Sequence, residues 1–104
     1  SHISLLAIET TLQQNPFIKK AAVLSVPAQT LGERVCAFLM VDQETAINPS
    51  ALIQQLQMTL KKQFGSLPID IEVRNSLPLN GMGKVMKSRL MEELQSEIEM
   101  KKVS

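Results

Sequence analysis

Apolar residues recur at helical spacing in three stretches of the chain, and each stretch has recognisable boundaries. Residues 4–15 begin with a serine that can cap a helix and end before a proline, which disfavours the helical conformation of the residue preceding it. Residues 48–65 begin with Asn-Pro, a favoured helix start, and end at a glycine. Residues 87–101 form the third stretch. The sequence therefore predicts three helices, with apolar faces formed by Leu5, Ile8 and Leu12, by Leu52, Ile53, Leu56, Leu60 and Phe64, and by Leu90, Leu94 and Ile98.

Three further segments have the pattern of β-strands. Residues 21–26 form a short apolar run, and residues 34–41 are apolar nearly throughout, which indicates that both faces of this strand are covered. Residues 69–74 alternate between apolar and charged, so one face of this strand should meet solvent. Residues 27–32 between the first two strands are predicted to be a loop. The order helix, strand, strand, helix, strand, loop, helix predicts a small α+β domain, a three-stranded sheet with flanking helices.

The composition of the chain limits the classes of protein to which it can belong. The 104 residues suffice for one hydrophobic core, and eleven basic against ten acidic residues leave a net charge of +1, which gives no field for holding a nucleic acid. No apolar run approaches the roughly 18 residues of a membrane span. The single cysteine, Cys36, lies inside an apolar strand and is predicted to be a packing residue, and no Cys/His pattern predicts a metal site. A cytoplasmic protein without a signal peptide fits these features.

Residues 77–85, with the sequence LPLNGMGKV, are the best candidate for chemistry. Two glycines around a methionine predict a loop with high backbone freedom, and Lys84 follows at once. A lysine on such a loop can reach an anionic group and withdraw again, because its ammonium offers three donors to phosphate or carboxylate oxygens. The segment is not a Walker phosphate loop, since Pro78 and Val85 stand where that loop needs a glycine and a hydroxyl. On spacing alone, a plain turn with a solvated lysine remains an alternative.

Four segments together resemble the C-terminal part of adenylate-forming enzymes, the superfamily of acyl-CoA synthetases, luciferases and nonribosomal-peptide adenylation domains. Residues 77–87 resemble the motif Leu-Pro-x-Thr-x-x-Gly-Lys-Ile/Val-x-Arg, and residues 26–33 resemble Val-Pro-Asp-x-x-x-Gly-Glu. Residues 3–9 are similar to the end of the hinge motif, and residues 15–18 resemble His-Pro-x-Val. The match covers nearly the whole chain in order. The chain departs from the family pattern where Asn80 replaces Thr, Ala28 replaces Asp and Lys87 replaces Arg.

The resemblance implies that residues 1–104 are the mobile C-terminal lid domain of an ATP-dependent acyl-CoA synthetase or ligase, without its large N-terminal domain. During acyl-adenylate formation, the motif lysine contacts the carboxylate substrate and the phosphate oxygens. The lid then rotates, and another of its faces helps to build the tunnel for the thiol. The implied site residues are Lys84 as the catalytic lysine, Asn80, Gly81 and Gly83 in the substrate and nucleotide loop, and Lys87 and Arg89 as candidate phosphate contacts.

The same resemblance implies cofactors and partners. The full-length enzyme would use ATP with Mg²⁺ and CoA, whereas this domain alone would bind no cofactor and be inactive. Its partners would be its own large adenylation domain, a carboxylic acid such as a fatty acid, and the thiol of CoA or of a carrier protein. The departures at Asn80 and Lys87 leave one alternative open, a non-catalytic interaction module that retains the lid fold and binds a carrier protein or another subunit.

Overall fold

The computed structural model describes residues 4–28, 32–42, 44, 47–65 and 67–103. Its helices are α1 (Leu5–Gln13), α2 (Pro49–Phe64) and α3 (Lys87–Val103), and its strands are β1 (Ile18–Ala28), β2 (Gly32–Val41) and β3 (Ile69–Val73). The α+β class and the order of elements predicted from the sequence are confirmed. The predicted loop 27–32 is shorter than expected, because residues 27, 28 and 32 pair within the β1–β2 ladder. Residues 29–31 of that loop lie outside the described residues.

The helix boundaries follow from local chemistry. The Ser4 hydroxyl accepts a hydrogen bond from the amide of Ala7 at 3.1 Å, which caps α1. The Asn48 side chain accepts from the amide of Ser50 at 2.9 Å, and the proline that follows Asn48 opens α2. At the other end of α2, Gly65 adopts a φ of +78°, a left-handed conformation that glycine reaches without strain. These boundaries agree with those predicted from the sequence.

Strand β2 lies at the centre of the sheet. It pairs antiparallel with β1 and parallel with β3, so α2 serves as the crossover between the two parallel strands. Ala37 and Leu39 of β2 pack into one hydrophobic cluster, whereas Cys36 and Phe38 pack into another on the opposite face. The prediction that both faces of this strand are covered is therefore confirmed. Strand β3 alternates between half-buried and exposed residues, as its sequence predicts.

The domain has two hydrophobic cores, one on each face of the sheet. Helices α1 and α2 cover the first, in which Ile8, Leu12, Val23, Leu39, Leu52, Leu56 and Leu60 are buried. Helix α3 and the segment before it cover the second, in which Ala22, Leu24, Phe38, Leu77, Leu90 and Leu94 are buried. The apolar stripe predicted for α3 is confirmed at Leu90 and Leu94, while the side chain of Ile98 lies outside the described residues.

The second core contains the Cys36 thiol and the Phe38 ring, which contacts the Arg74 guanidinium. Burial raises the pKa of the Cys36 thiol, which agrees with its interpretation as a packing residue. The Arg74 guanidinium lies 5.3 Å from the centre of the Phe38 ring and makes two hydrogen bonds to the Glu97 carboxylate, at 3.2 and 3.0 Å. These contacts join the end of β3 to α3.

No helix among the described residues has both the length and the apolar character needed to cross a bilayer.

Candidate functional site

Residues 79–85 form a short hairpin, which we call the lysine hairpin. The main chains at its two ends pair as an antiparallel bridge. Within it, the amide of Asn80 donates to the Lys84 carbonyl at 2.8 Å, and the amide of Gly83 donates to the Asn80 carbonyl at 3.0 Å. The segment that the two glycines predicted to be a loose loop is thus a hydrogen-bonded turn. Its two ends are tied together by main-chain bonds.

The side chain of Asn80 completes the turn. Its Oδ1 accepts hydrogen bonds from the amide of Met82 at 2.8 Å and from the amide of Lys84 at 3.0 Å. Asparagine side chains commonly accept from the main chain a few residues further on, and threonine hydroxyls do the same more weakly. What the turn requires at this position is a side-chain oxygen. Asn80, which stands where the motif that this segment resembles has threonine, supplies that oxygen.

The two glycines of the hairpin differ in their conformation. Gly83 has a φ of +82°, which residues with a Cβ adopt only with strain. Gly81 does not have a positive φ, and a Cβ added to it would meet no atom within 4 Å. The turn therefore requires glycine at position 83, immediately before Lys84, and does not require it at position 81.

The side chain of Lys84 is exposed, although its main chain is held by Asn80. Its amine forms no ion pair with any residue that the structure describes. Met82, at the turn of the hairpin, is 86% exposed, whereas Leu77 just before the hairpin is buried in the second core. The hairpin is therefore anchored by a buried leucine, and it exposes an apolar side chain and a cation that no described residue pairs with.

The candidate phosphate contacts Lys87 and Arg89 lie at the start of α3, behind the hairpin. The Lys87 amine is 2.7 Å from Oε2 of Glu9 in α1. The same carboxylate oxygen accepts a hydrogen bond from the amide of Val23 in β1 at 3.1 Å. The pair thus connects α1 and β1 to the first residue of α3. Arg89 is exposed and has no ion pair within the described part of the chain.

The fold brings a second lysine to the hairpin. The amine of Lys20, in β1, lies 3.7 Å from the position that a Cβ on Gly83 would occupy. Sequence reasoning missed Lys20, because nothing in the pattern relates it to a residue more than sixty positions later. It also assigned no role to Glu9, although the hinge-like segment 3–9 contains it. The structure places Asn80, Gly83, Lys84 and Lys20 together, with Gly81 at the turn and Arg89 further along α3.

Comparisons with known proteins give the same family for most of the chain. The family model described as the AMP-binding enzyme C-terminal domain matches residues 7–84. An acetyl-coenzyme A synthetase of Cupriavidus metallidurans is 34% identical over 91 residues, covering 84% of this chain. The pyochelin synthase PchD of Pseudomonas aeruginosa is 34% identical over 93 residues, covering 88% of this chain. The crystal structure of a Brucella canis acyl-CoA synthetase superposes with a TM-score of 0.74 at 27% identity and covers 97% of this chain.

These relatives are much longer proteins. The chain spans 14% of the acetyl-coenzyme A synthetase, 16% of the pyochelin synthase and 18% of the chain in the crystal structure. The matched family segment includes most of α1, the whole sheet and the hairpin as far as Lys84. The resemblance proposed from the sequence motifs is confirmed at the level of family and of fold. The chain belongs to the family of AMP-binding enzyme C-terminal domains.

Proposed function

We propose that this domain is the mobile C-terminal domain of an ATP-dependent acyl-CoA ligase and that Lys84 is its catalytic lysine. The observation that carries the proposal is the presentation of Lys84. Its main chain is fixed by Asn80 at 3.0 Å, while its amine is exposed and forms no ion pair with a described residue. A cation held in this way is free to engage an anionic group outside the domain.

The chemistry of adenylation needs such a cation. When a carboxylate attacks the α-phosphorus of ATP, pyrophosphate leaves and an acyl-adenylate forms, and negative charge builds on the phosphorus-bound oxygens. A positioned ammonium stabilises that charge electrostatically, and it also attracts the attacking carboxylate. Lys84 would supply this ammonium. Asn80 and Gly83 would set its direction through the turn, with Gly81 completing the substrate and nucleotide loop.

The rigidity of the hairpin affects how Lys84 would reach its target. The hairpin has main-chain bonds between its ends and a buried base at Leu77, so it resembles a fixed projection more than a flexible loop. Delivery and removal of the amine would then require movement of the whole domain about a hinge near its N-terminus. Such closure motions assemble and dismantle active sites in many enzymes. After adenylation, another face of the domain would contribute to the thiol tunnel.

The substrates and the metal ion of the reaction would be bound by the other part of the larger enzyme. ATP with Mg²⁺ and the carboxylic acid would be held by a large adenylation domain, and the isolated C-terminal domain would be inactive. The names of the acetyl-coenzyme A synthetase and acyl-CoA synthetase relatives favour CoA over a carrier-protein thiol as the acceptor. Such an enzyme would work in the cytoplasm on carboxylic acids such as fatty acids. Lys87 and Arg89 stay proposed phosphate contacts, and Lys87 would first have to leave Glu9.

The test is the Lys84→Ala substitution in an enzyme that contains this domain. We expect ATP–pyrophosphate exchange to fall by about 10²–10³-fold, the loss typical of removing one group that stabilises transition-state charge. Thioester formation from a supplied acyl-adenylate should change little. The matched control is Lys62→Ala, which removes an exposed lysine on α2, a helix on the opposite face of the sheet. Normal exchange in the Lys84→Ala enzyme would refute the assignment and favour the non-catalytic interaction module.

A further inference from the structure

The amine of Lys20 borders the same turn that presents Lys84. Along β1, Ala22 and Leu24 face the second core, the side of the sheet on which the hairpin lies. Alternation along the strand places Lys20 on that face too. Its side chain is half-buried, and its amine lies 3.7 Å from where a Cβ on Gly83 would be. The absence of a side chain at Gly83 leaves this space next to the hairpin open.

Neither lysine is neutralised by a residue that the structure describes. Lys20 and Lys84 form no ion pair with any described residue, whereas Lys87, the next lysine along, is paired with Glu9 at 2.7 Å. Two ammonium groups carried next to the same turn repel each other, because both are positively charged. A bound dianion replaces this repulsion with two attractions. The arrangement therefore favours an anion with more than one charge.

Most main-chain amides of the hairpin are already engaged in hydrogen bonds within the turn. The amides of residues 82 and 84 donate to Oδ1 of Asn80, and the amide of Gly83 donates to the Asn80 carbonyl. In a Walker loop, by contrast, consecutive main-chain amides point at the phosphate. The amides of residues 82–84 are therefore already used, and the lysine amines are the stronger donors to an anion at this hairpin.

We infer that Lys20 is a second cation of the site, which binds a phosphoryl group of the substrate together with Lys84. The inference rests on the proposed function of Lys84 and adds a residue to it. Both lysines belong to one domain, so a movement that delivers Lys84 also delivers Lys20. A tetrahedral phosphoryl group suits the pair, because its oxygens accept hydrogen bonds from donors that approach in different directions, and each ammonium offers three donors.

The test is a titration of residues 1–104, labelled on lysine, with inorganic pyrophosphate at low salt, followed by NMR of the lysine side chains. We expect the side-chain signals of Lys20 and Lys84 to shift together. The substitution Lys20→Gln should raise the apparent Kd about 3- to 10-fold, and Lys20→Arg should keep binding near the original value. Lys62→Gln removes the same charge from the opposite side of the sheet and should leave the Kd unchanged. Main-chain amide spectra establish that each variant is folded.

Two further arms identify the source of the phosphoryl group. Tighter binding of pyrophosphate than of CoA assigns the pair to the adenylation step, and the reverse assigns it to the thioester step; both support a phosphoryl site. Binding of acetate as tightly as pyrophosphate would overturn the inference, as would equal weakening by Lys20→Gln and Lys62→Gln or a Lys20 signal that does not move. The proposed function is judged separately by pyrophosphate exchange in the Lys84→Ala enzyme, so failure of one does not imply failure of the other.

Discussion

The two glycines of the lysine hairpin allow a sharp test of how the turn is built. Gly83 has a φ of +82°, and an alanine there would place its Cβ 3.7 Å from the Lys20 amine, which is an ordinary van der Waals distance. The cost of Gly83→Ala is therefore the strain of the main chain, about 1–2 kcal/mol for a residue with a Cβ in the left-handed region. Gly81→Ala carries no such strain and meets no atom within 4 Å.

The difference in stability between these two variants measures the main-chain strain at residue 83. Each substitution also restricts the unfolded chain, which stabilises the folded protein by about 0.4–1 kcal/mol. Because this contribution is common to both, it cancels in the difference. We expect Gly81→Ala to be neutral or slightly stabilising. Gly83→Ala should be less stable than Gly81→Ala by about 1–2 kcal/mol, a factor of about 5–30 in the equilibrium between the folded and unfolded states.

Two measurements check this expectation. Urea unfolding of both variants gives the global free energies of unfolding, and hydrogen exchange at the amides of Asn80 and Lys84 reports opening of the hairpin itself. Faster exchange at these amides in Gly83→Ala alone would show that the turn opens locally instead of destabilising the whole domain. Equal unfolding free energies and equal exchange in the two variants would refute the argument from backbone conformation.

Two more predictions concern the residues that hold the hairpin in place. Asn80→Ala removes the acceptor for two amides at 2.8 and 3.0 Å and should speed hydrogen exchange at Met82 and Lys84, with a loss of about 1 kcal/mol. Asn80→Asp keeps an acceptor oxygen and should recover most of that loss; an aspartate variant as weak as the alanine one would contradict the role given to the side-chain oxygen. For the Glu9–Lys87 pair at 2.7 Å, a double-mutant cycle with Glu9→Gln and Lys87→Met should give a coupling of about 1 kcal/mol that falls with added salt. Strict additivity of the two substitutions would show that the contact contributes nothing to stability.

The structure shows which contacts are made by two residues that depart from the family pattern. From the sequence, Asn80 in place of threonine left open whether the motif still worked. The structure shows Asn80 making the two hydrogen bonds that close the turn before Lys84. Lys87, in place of arginine, keeps a cation that reaches Glu9. Both departures thus retain a functional group of the kind that the local geometry uses.

The sequence by itself determined the elements and the helix ends that depend on local capping. Ser4, Asn48 and Gly65 mark helix ends because capping depends on groups a few residues apart. The nearly continuous apolar run of β2 predicted a strand covered on both faces, because burial on each side favours apolar residues at successive positions. The motif that ends in Lys84 indicated the candidate site for the same reason, since its residues are neighbours in the chain.

Tertiary structure alone decided which distant residues meet at that site. Lys20 reaches the hairpin because β1 and the segment after β3 bury apolar side chains in the same core, with Ala22 and Leu24 on one and Leu77 on the other. A register irregularity between residues 18 and 20 separates Lys20 from Ile18, which packs in the first core. A local pattern cannot encode such placements, because they arise from the joint packing of elements separated by most of the chain.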